Sequence, residues 1–451
     1  MMVAVFLTEY NVSGMKCIHQ MVTLSFYKKQ ISKHPDTQNY TVKAIYGEHG
    51  SGKSGIVASV GILKNILTNP VYLSNDRIQD YIERLINQRT RELVISVQYL
   101  VNQEDPYLYS YTVELAINEE GQIEIQSEKL CRKKGTSKNK PFATLFSVKR
   151  REISELSERL NLESVAWIKD ISQNLLGRSS LSSLFASPGR CKILKESALP
   201  ILETDFFQGI LSLRELGRSL RIYMEDGRDP DRLSGNSVFE EEDQRNFKIV
   251  DRSIEGQGQS LSLSHLSPGD NQVRKEDYPR FEAEVQKLTS FMQVFQKELL
   301  EIEIERKEDK DLYHCFLILK YPTCKIASED ESSGTQKLIR LFPYLKSMVN
   351  GSIVFMDGLD SNLHEVYLCK LVQYLMQEGQ GQLCFTTQNI GLMDVLKTNK
   401  KSIDFLSDQR VVYPWIKNGN YSPSKLYREG MIAGSAFNVD SIDFIGCFDK
   451  S

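Results

Sequence analysis

Gly47-Glu48-His49-Gly50-Ser51-Gly52-Lys53-Ser54 fits the pattern Gly-x-x-x-x-Gly-Lys-Ser in full. Glycines let the backbone N–H groups of such a loop turn inward and cradle phosphates. Lys53 supplies a positive charge to the β- and γ-phosphates, and the Ser54 hydroxyl is placed to ligate Mg2+. Gly47, Gly50, Ser51, Gly52, Lys53 and Ser54 are therefore the candidate nucleotide-binding residues. The flanks agree with this reading. Val42–Tyr46 is a β-rich run that leads directly into the loop, and Gly55–Leu67 sets Ile56, Val57, Val60, Leu63 and Leu67 on one helical face. Strand, glycine loop and helix in that order are the context the motif requires, and they predict an α/β fold.

A second acid is expected far downstream. Val354-Phe355-Met356-Asp357 is an apolar strand that ends in a carboxylate, and Asp357 joins Ser54 as a candidate Mg2+ ligand. The next residue is Gly358, which has no side chain with which to polarise a water. Asp360 and Glu365 are nearby acids, but spacing alone puts neither within hydrogen-bond reach of that water. Before this strand, Glu331-Ser332-Ser333-Gly334-Thr335-Gln336-Lys337 opens a helix over Leu338–Leu345. A Ser-Gly step there offers a hydroxyl, backbone donors and the helix dipole to an anion, although an ordinary N-cap has the same composition.

Outward from these motifs, Val3–Leu7 and Val22–Phe26 read as strands, Asn75 caps a helix, and Leu93–Val101 and Tyr107–Ile117 are strands joined by a polar turn. Arg132–Lys140 reads as a basic loop, and about Lys149 to Arg221 as helices broken by Gly177 and Pro188-Gly189. Glu225–Asp270, rich in Asp, Glu, Ser and Gly, reads as a long mobile loop. Phe281, Val285, Leu288, Phe291, Phe295 and Leu299 define an amphipathic helix. Ile302–Ile304 and Leu312–Tyr321 predict a hairpin turning at Lys307–Lys310. Ser352–Met356 and Leu383–Thr386, separated by a helix over Leu363–Met376, predict parallel strands.

In this arrangement the chain resembles the AAA-type ATPases of the ABC-like branch, the group that includes OLD-family and SMC-like ATPase heads. The family's ordered elements correspond to Gly47–Ser54 (Walker A), Ser332–Gln336 (signature), Val354–Asp357 (Walker B), Leu359-Asp360 (D-loop) and Phe385-Thr386-Thr387-Gln388-Asn389 (switch). The resemblance covers residues 1–120 and 278–451. It implies a P-loop NTPase head with a mixed sheet, split by a helical insertion. Residues 1–130 are then the lobe with Walker A. Residues 131–277 hold the basic loop, the helical insertion and the acidic, Ser-rich loop. Residues 278–451 are the lobe with the other motifs. It also implies a head-to-head homodimer holding ATP and Mg2+, in which Ser333 and Gly334 of one chain touch the γ-phosphate held by the other.

Two positions depart from the family's pattern. Gly358 replaces the expected catalytic glutamate and Gln388 the expected switch histidine, so no catalytic residue is assigned. Removing a water-orienting group costs on the order of a hundred- to ten-thousand-fold in rate. The expectation is therefore an ATP-gated dimeric scaffold or sensor with weak or absent hydrolysis. The alternative is an active ATPase completed by another residue or by a partner subunit and coupled to nucleic-acid processing. By family analogy such proteins serve bacterial anti-phage or DNA-transaction systems with an effector partner.

Composition excludes other classes. With 451 residues the chain can hold more than one core, and at 41% hydrophobic and 25% charged it is an ordinary globular protein. A net charge of −3 gives no general attraction to nucleic acid or membranes. Arg132, Lys133 and Lys134, with Lys138, Lys140 and Lys149-Arg150-Arg151, form the one basic cluster that suits a phosphate backbone. A solvated loop is the simpler account of that cluster. The eight cysteines are scattered without a Cys-x-x-Cys pair, as in a reducing cytosol. The N-terminal run has no cationic leader and no apolar stretch is long enough to span a bilayer, so a cytoplasmic protein without membrane contact is expected.

Overall fold

The computed structural model describes residues 5–101, 106–137, 140–186, 204–225, 266–310, 312–416, 421–432 and 435. The chain opens with the antiparallel pair β1 (Val5–Ser13) and β2 (Val22–Ser25) and then enters the centre of the molecule as β3 (Val42–Gly47). The glycine loop follows, and α1 (Lys53–Thr68) leaves it. In front of α2 (Asp76–Glu83), the Asn75 side chain accepts hydrogen bonds from the Arg77 and Ile78 N–H groups, the capping expected of it. Strands β4 (Glu92–Val101), β5 (Tyr107–Ile117), β6 (Ile123–Lys134), β7 (Ala143–Lys149) and β8 (Glu152–Leu156) complete a seven-stranded antiparallel sheet, ordered β2-β1-β4-β5-β6-β7-β8. Helices α3 (Leu162–Ser172), α4 (Leu181–Ala186) and α5 (Asp205–Ser219) then lead into β9 (Leu220–Tyr223).

A small antiparallel sheet begins the second half, with β10 (Asn271–Arg274), β11 (Glu301–Asp309), β12 (Leu312–Lys320) and β13 (Lys325–Ala327), and α6 (Tyr278–Phe295) packs on it. The chain continues through α7 (Ser333–Val349), β14 (Ile353–Met356), α8 (Glu365–Glu378), β15 (Gln382–Thr386) and α9 (Gly391–Leu396). It ends, within the described residues, with β16 (Ile403–Leu406), β17 (Val412–Pro414) and α10 (Pro423–Arg428).

Six strands from both halves form the central sheet, ordered β17-β16-β3-β15-β14-β9 and parallel except for β17. Strands β3, β14, β15 and β16 are buried along their whole length, as expected of a parallel sheet covered on both faces. Side chains alternate across it. Ile45, Ile353, Phe355, Cys384 and Leu406 join the core formed with α1, α4, α5 and the antiparallel sheet. Ala44, Tyr46, Val354, Met356, Leu383 and Phe385 face Leu341 and Leu345 of α7 and Leu368 and Val372 of α8. A third cluster sets Phe281, Val285, Leu288 and Met292 of α6 against Cys315, Leu317 and Leu319 of β12.

The mixed α/β architecture agrees with the sequence reading, but the segment read as a basic loop and helical insertion is built differently. Residues 132–134 lie on β6, and 152–156 form a strand. The β7–β8 turn uses Arg150 and Arg151 at φ of 48° and 66°, left-handed positions where glycine or asparagine is the usual signal, so composition concealed the hairpin. Among the described residues, α4 and α5 pack into the main core rather than onto a core of their own. Phe206, Ile210, Leu213 and Leu216 of α5 share the core of α1, and α5 runs directly into β9, a strand of the central sheet. The hairpin of β11 and β12 is present as expected, with β11 extending to Asp309. Pro188-Gly189 and most of the predicted mobile loop, residues 226–265, lie outside the described residues. Cys17, Cys131, Cys315, Cys324, Cys369 and Cys384 are free thiols; Cys191 and Cys447 lie outside the described residues.

Two buried charged groups shape the core. Lys43 on β3 and Asp404 on β16 form an ion pair of 2.7 Å at 2% exposure each. Removing one partner strands the other charge in the interior, so Asp404→Ala is expected to destabilise the fold by about 3–5 kcal/mol. Joint replacement by Lys43→Met and Asp404→Leu should cost much less, as read by urea denaturation. Glu128 on β6 accepts hydrogen bonds from Leu181 N (2.7 Å), Ser182 N (3.4 Å) and Tyr111 Oη (3.0 Å), closing the start of α4. Burial nevertheless pushes its carboxyl from 4.5 up to about 7, the hydrogen bonds opposing the shift. Because the folded state then binds this proton more tightly than the unfolded chain, the contribution is complete below about pH 4.5 and declines as pH rises toward 7. In denaturation series at pH 5 and pH 8, Glu128→Gln should lose less stability across that interval than wild type. Parallel curves would refute the assignment.

Candidate functional site

The glycine loop, Asp357 and the switch segment emerge at the carboxyl end of the parallel strands, where the backbone leaves the ladder and polar groups are free to face a ligand. β3 delivers the glycine loop. β15, next to it, delivers the switch segment, and β14, one strand further, delivers Asp357. Within the loop Gly52 has φ of 110°, and a Cβ there would press on Ile18 at 2.8 Å, so only glycine fits the turn into α1. Lys53 Nζ donates to the Gly47 and Glu48 carbonyls at 2.7 and 2.9 Å, which holds the ammonium over the loop. Burial lowers its pKa, and Asp357, Asp360 and Glu48 partly offset that effect. Ser51 Oγ is buried with no hydrogen-bond partner among the described residues. A buried hydroxyl in that condition is unusual, and an oxygen-rich ligand in the loop would satisfy it.

Asp357 is fixed from two sides. Its N–H donates to Tyr223 O at 2.9 Å, and its Oδ1 accepts from Thr386 Oγ1 at 2.7 Å. Thr386 Oγ1 in turn accepts from Gly358 N at 2.8 Å, so the first threonine of the switch segment orients the carboxylate. Sequence reasoning assigned the segment but missed this role. Ser54, half-buried in the first turn of α1, and Asp357 offer one hydroxyl and one carboxylate, hard oxygen donors that suit Mg2+. Mg2+ keeps waters and takes phosphate oxygens, so a short protein donor set fits it. No cluster of three or more His, Cys, Asp or Glu with metal-binding arrangement is present among the described residues.

Gln388 reaches both ends of the site. Its N–H donates to Asp360 Oδ2 at 3.1 Å, and its Nε2 lies 3.2 and 3.3 Å from the two ring nitrogens of His49 in the glycine loop. Gln388 thus lies beside the glycine loop.

The signature segment behaves as a cap and more. Ser332 Oγ accepts from Thr335 N at 3.3 Å and closes the start of α7, while Ser333 is exposed. A Cβ on Gly334 would stand 2.6 Å from Asn362 O, so this glycine lets α7 press against the turn that follows Asp360 in the same chain. One turn on, Lys337 is 3% exposed, and its Nζ donates to Glu225 Oε1 at 3.2 Å. It also donates to the Gly358 carbonyl and to Ser361 Oγ. Burial lowers its pKa against the opposing charges of Glu225, Asp360 and Asp357. Lys337, Ser361 and Glu225 are functional neighbours that the sequence reading did not identify. A lysine immediately after the signature segment was the only available signal.

The basic cluster is largely occupied. Arg132 forms an ion pair with Asp205 and lies over the Tyr107 ring at 4.6 Å, and Lys133 lies over Phe142 at 4.6 Å. Arg151 pairs with Glu124. Lys138 lies outside the described residues.

No family model matches this chain, and no curated protein matches it. Two solved structures are similar to it at low identity. One is the recombination mediator protein RecF with ATP, in the RecFOR pathway, with 12% identity over 92% of this chain and 100% of that one, at a TM-score of 0.37. The other is RecF with an ATP analogue ("ATPrS"), with 11% identity over 92% and 99%, at a TM-score of 0.38.

Proposed function

We propose that the chain is an ATP-binding protein built like an ABC-type ATPase head, which closes as a homodimer around ATP and turns it over slowly. The observation that carries this reading is that neighbouring strands β3, β15 and β14 deliver the glycine loop with Lys53, Gln388 and Asp357 to one end of the sheet, where Gln388 meets His49 of that loop and the charge of Asp357 acts on Lys53. Lys53 meets the β- and γ-phosphates, the N–H groups of the loop and of α1 surround them, and the orphaned Ser51 hydroxyl gains a partner. Ser54 and Asp357 would hold Mg2+, which neutralises phosphate charge when bound. Thr386 fixes the Asp357 carboxylate that would hold the ion. Exposed Ser333 and half-buried Gly334 at the start of α7 would supply the donors for a second chain's γ-phosphate.

This gives an ATP-gated scaffold or sensor, with the effector partner as its output. Placement in an anti-phage or DNA-transaction system rests on the family resemblance alone. A cytoplasmic setting accords with the free thiols. Separately, no helix among the described residues is long and apolar enough to cross a membrane. Nucleic-acid binding through Arg132 and Lys133 is the weaker reading, because both cations already have partners within the chain.

Titration with a fluorescent ATP analogue tests the proposal. Wild type should bind in the presence of Mg2+, and Lys53→Ala should weaken binding roughly ten- to a hundredfold, the loss of one charge-assisted contact. Sedimentation should show dimers with ATP for wild type and monomers for Ser333→Arg, which retains nucleotide binding. A wild-type protein that binds no nucleotide overturns the reading.

A further inference from the structure

Gly358 stands where a glutamate is expected, yet the space that a side chain there would enter is filled. Its φ is +64°, and a Cβ built on it would lie 2.1 Å from Glu225 Oε2. The sheet register explains the coincidence. β9 and β14 pair in parallel with Tyr223 beside Met356, so two residues beyond the strand ends Glu225 comes beside Gly358. A carboxylate arriving from the neighbouring strand occupies the position left open by the glycine.

The carboxylate is held there. Lys337 Nζ and Ser361 Oγ both donate to Oε1, and the same lysine binds the Gly358 carbonyl. Oε2 is the oxygen turned to Gly358. The side chain is 38% exposed, so water reaches it. Asp357, the candidate Mg2+ ligand, is the preceding residue of the same turn. Its N–H is bonded to Tyr223 O, two residues before Glu225.

We propose that Glu225 is the catalytic carboxylate of this protein, orienting the attacking water in place of a side chain at position 358. The inference rests on the ATP-binding reading above and adds a working hydrolytic group to it. In the step assigned to Glu225, the water oxygen forms a bond to the γ-phosphorus. The bond from that phosphorus to the β–γ bridging oxygen breaks, and its electron pair stays on ADP. The carboxylate accepts a hydrogen bond from the water, and the displaced proton passes through it to the phosphate product. Lys337 anchors Oε1, leaving Oε2 for the water.

Three measurements on the full-length protein separate this inference from the reading beneath it: ATP binding, single-turnover hydrolysis, and the identity of the nucleotide retained after gel filtration. Glu225→Gln should bind ATP within about twofold of wild type, because no phosphate contact is removed. Hydrolysis should fall by roughly a hundredfold or more, the usual cost of losing a water-orienting base. The retained nucleotide should be ATP for the variant and ADP for wild type. Glu225→Asp, with a shortened carboxylate, should hydrolyse faster than Glu225→Gln, which distinguishes carboxylate chemistry from a packing defect. Absence of ATP binding by wild type defeats the binding proposal. Binding without hydrolysis by wild type, or equal rates for wild type and Glu225→Gln, defeats the role of Glu225 alone.

Discussion

The register that sets Tyr223 beside Met356 determines most of what happens at the carboxyl end of the central sheet. β9 is only four residues long, so a single-residue slip would be tolerated locally, but it would turn Leu220 and Ile222 away from the core they share with α1. Burial of those two side chains therefore locks the pairing. Once locked, it places Asp357 N against Tyr223 O and brings Glu225 to Gly358. The polar site is positioned by apolar packing on the opposite side of the same strands.

The interior tolerates charge only where a partner or a hydrogen-bond set is complete. Lys43 and Asp404 cross between β3 and β16, the two strands that flank the departure of the glycine loop. Desolvating both ions offsets much of their attraction, so the pair contributes little net stability while making any wrong pairing of these strands expensive. Lys337 follows the same logic near the surface of the site. Its ammonium is enclosed, and the Gly358 carbonyl, Ser361 and Glu225 surround it. Because it sits one turn into α7, it ties the helix that presents Ser333 to the loop after Asp357.

The glycine loop, Asp357 and the switch segment were legible in the sequence because each is a contiguous string whose chemistry depends on its own residues. The β-α-β pattern around β14 and β15 was equally plain, since buried parallel strands read as short apolar runs. The remainder depended on pairings across long separations. Leu220-Arg221-Ile222-Tyr223 is too short for its alternation to stand out after a long helix, so β9 was absorbed into the helical reading, and Glu225 became the start of a loop. Arg150 and Arg151 carried no turn signature, which hid β8 and made the following helices look like an insertion. Lys337 resembled a solvated helix residue until the D-loop was folded against it.

Gln388 and Gly358 carry different weight. Gln388 still contacts the glycine loop through His49, so an amide replaces an imidazole at an occupied position. Gly358 is not simply a truncated glutamate. Its left-handed φ favours glycine by roughly 1–2 kcal/mol over residues with a side chain, and the carboxylate of Glu225 stands in the vacated volume. Reinstating glutamate at 358 would therefore bring two carboxylates together in one small space and strain the backbone as well. Glu225, anchored by a buried lysine and aligned by strand register, leaves no room there for a second carboxylate.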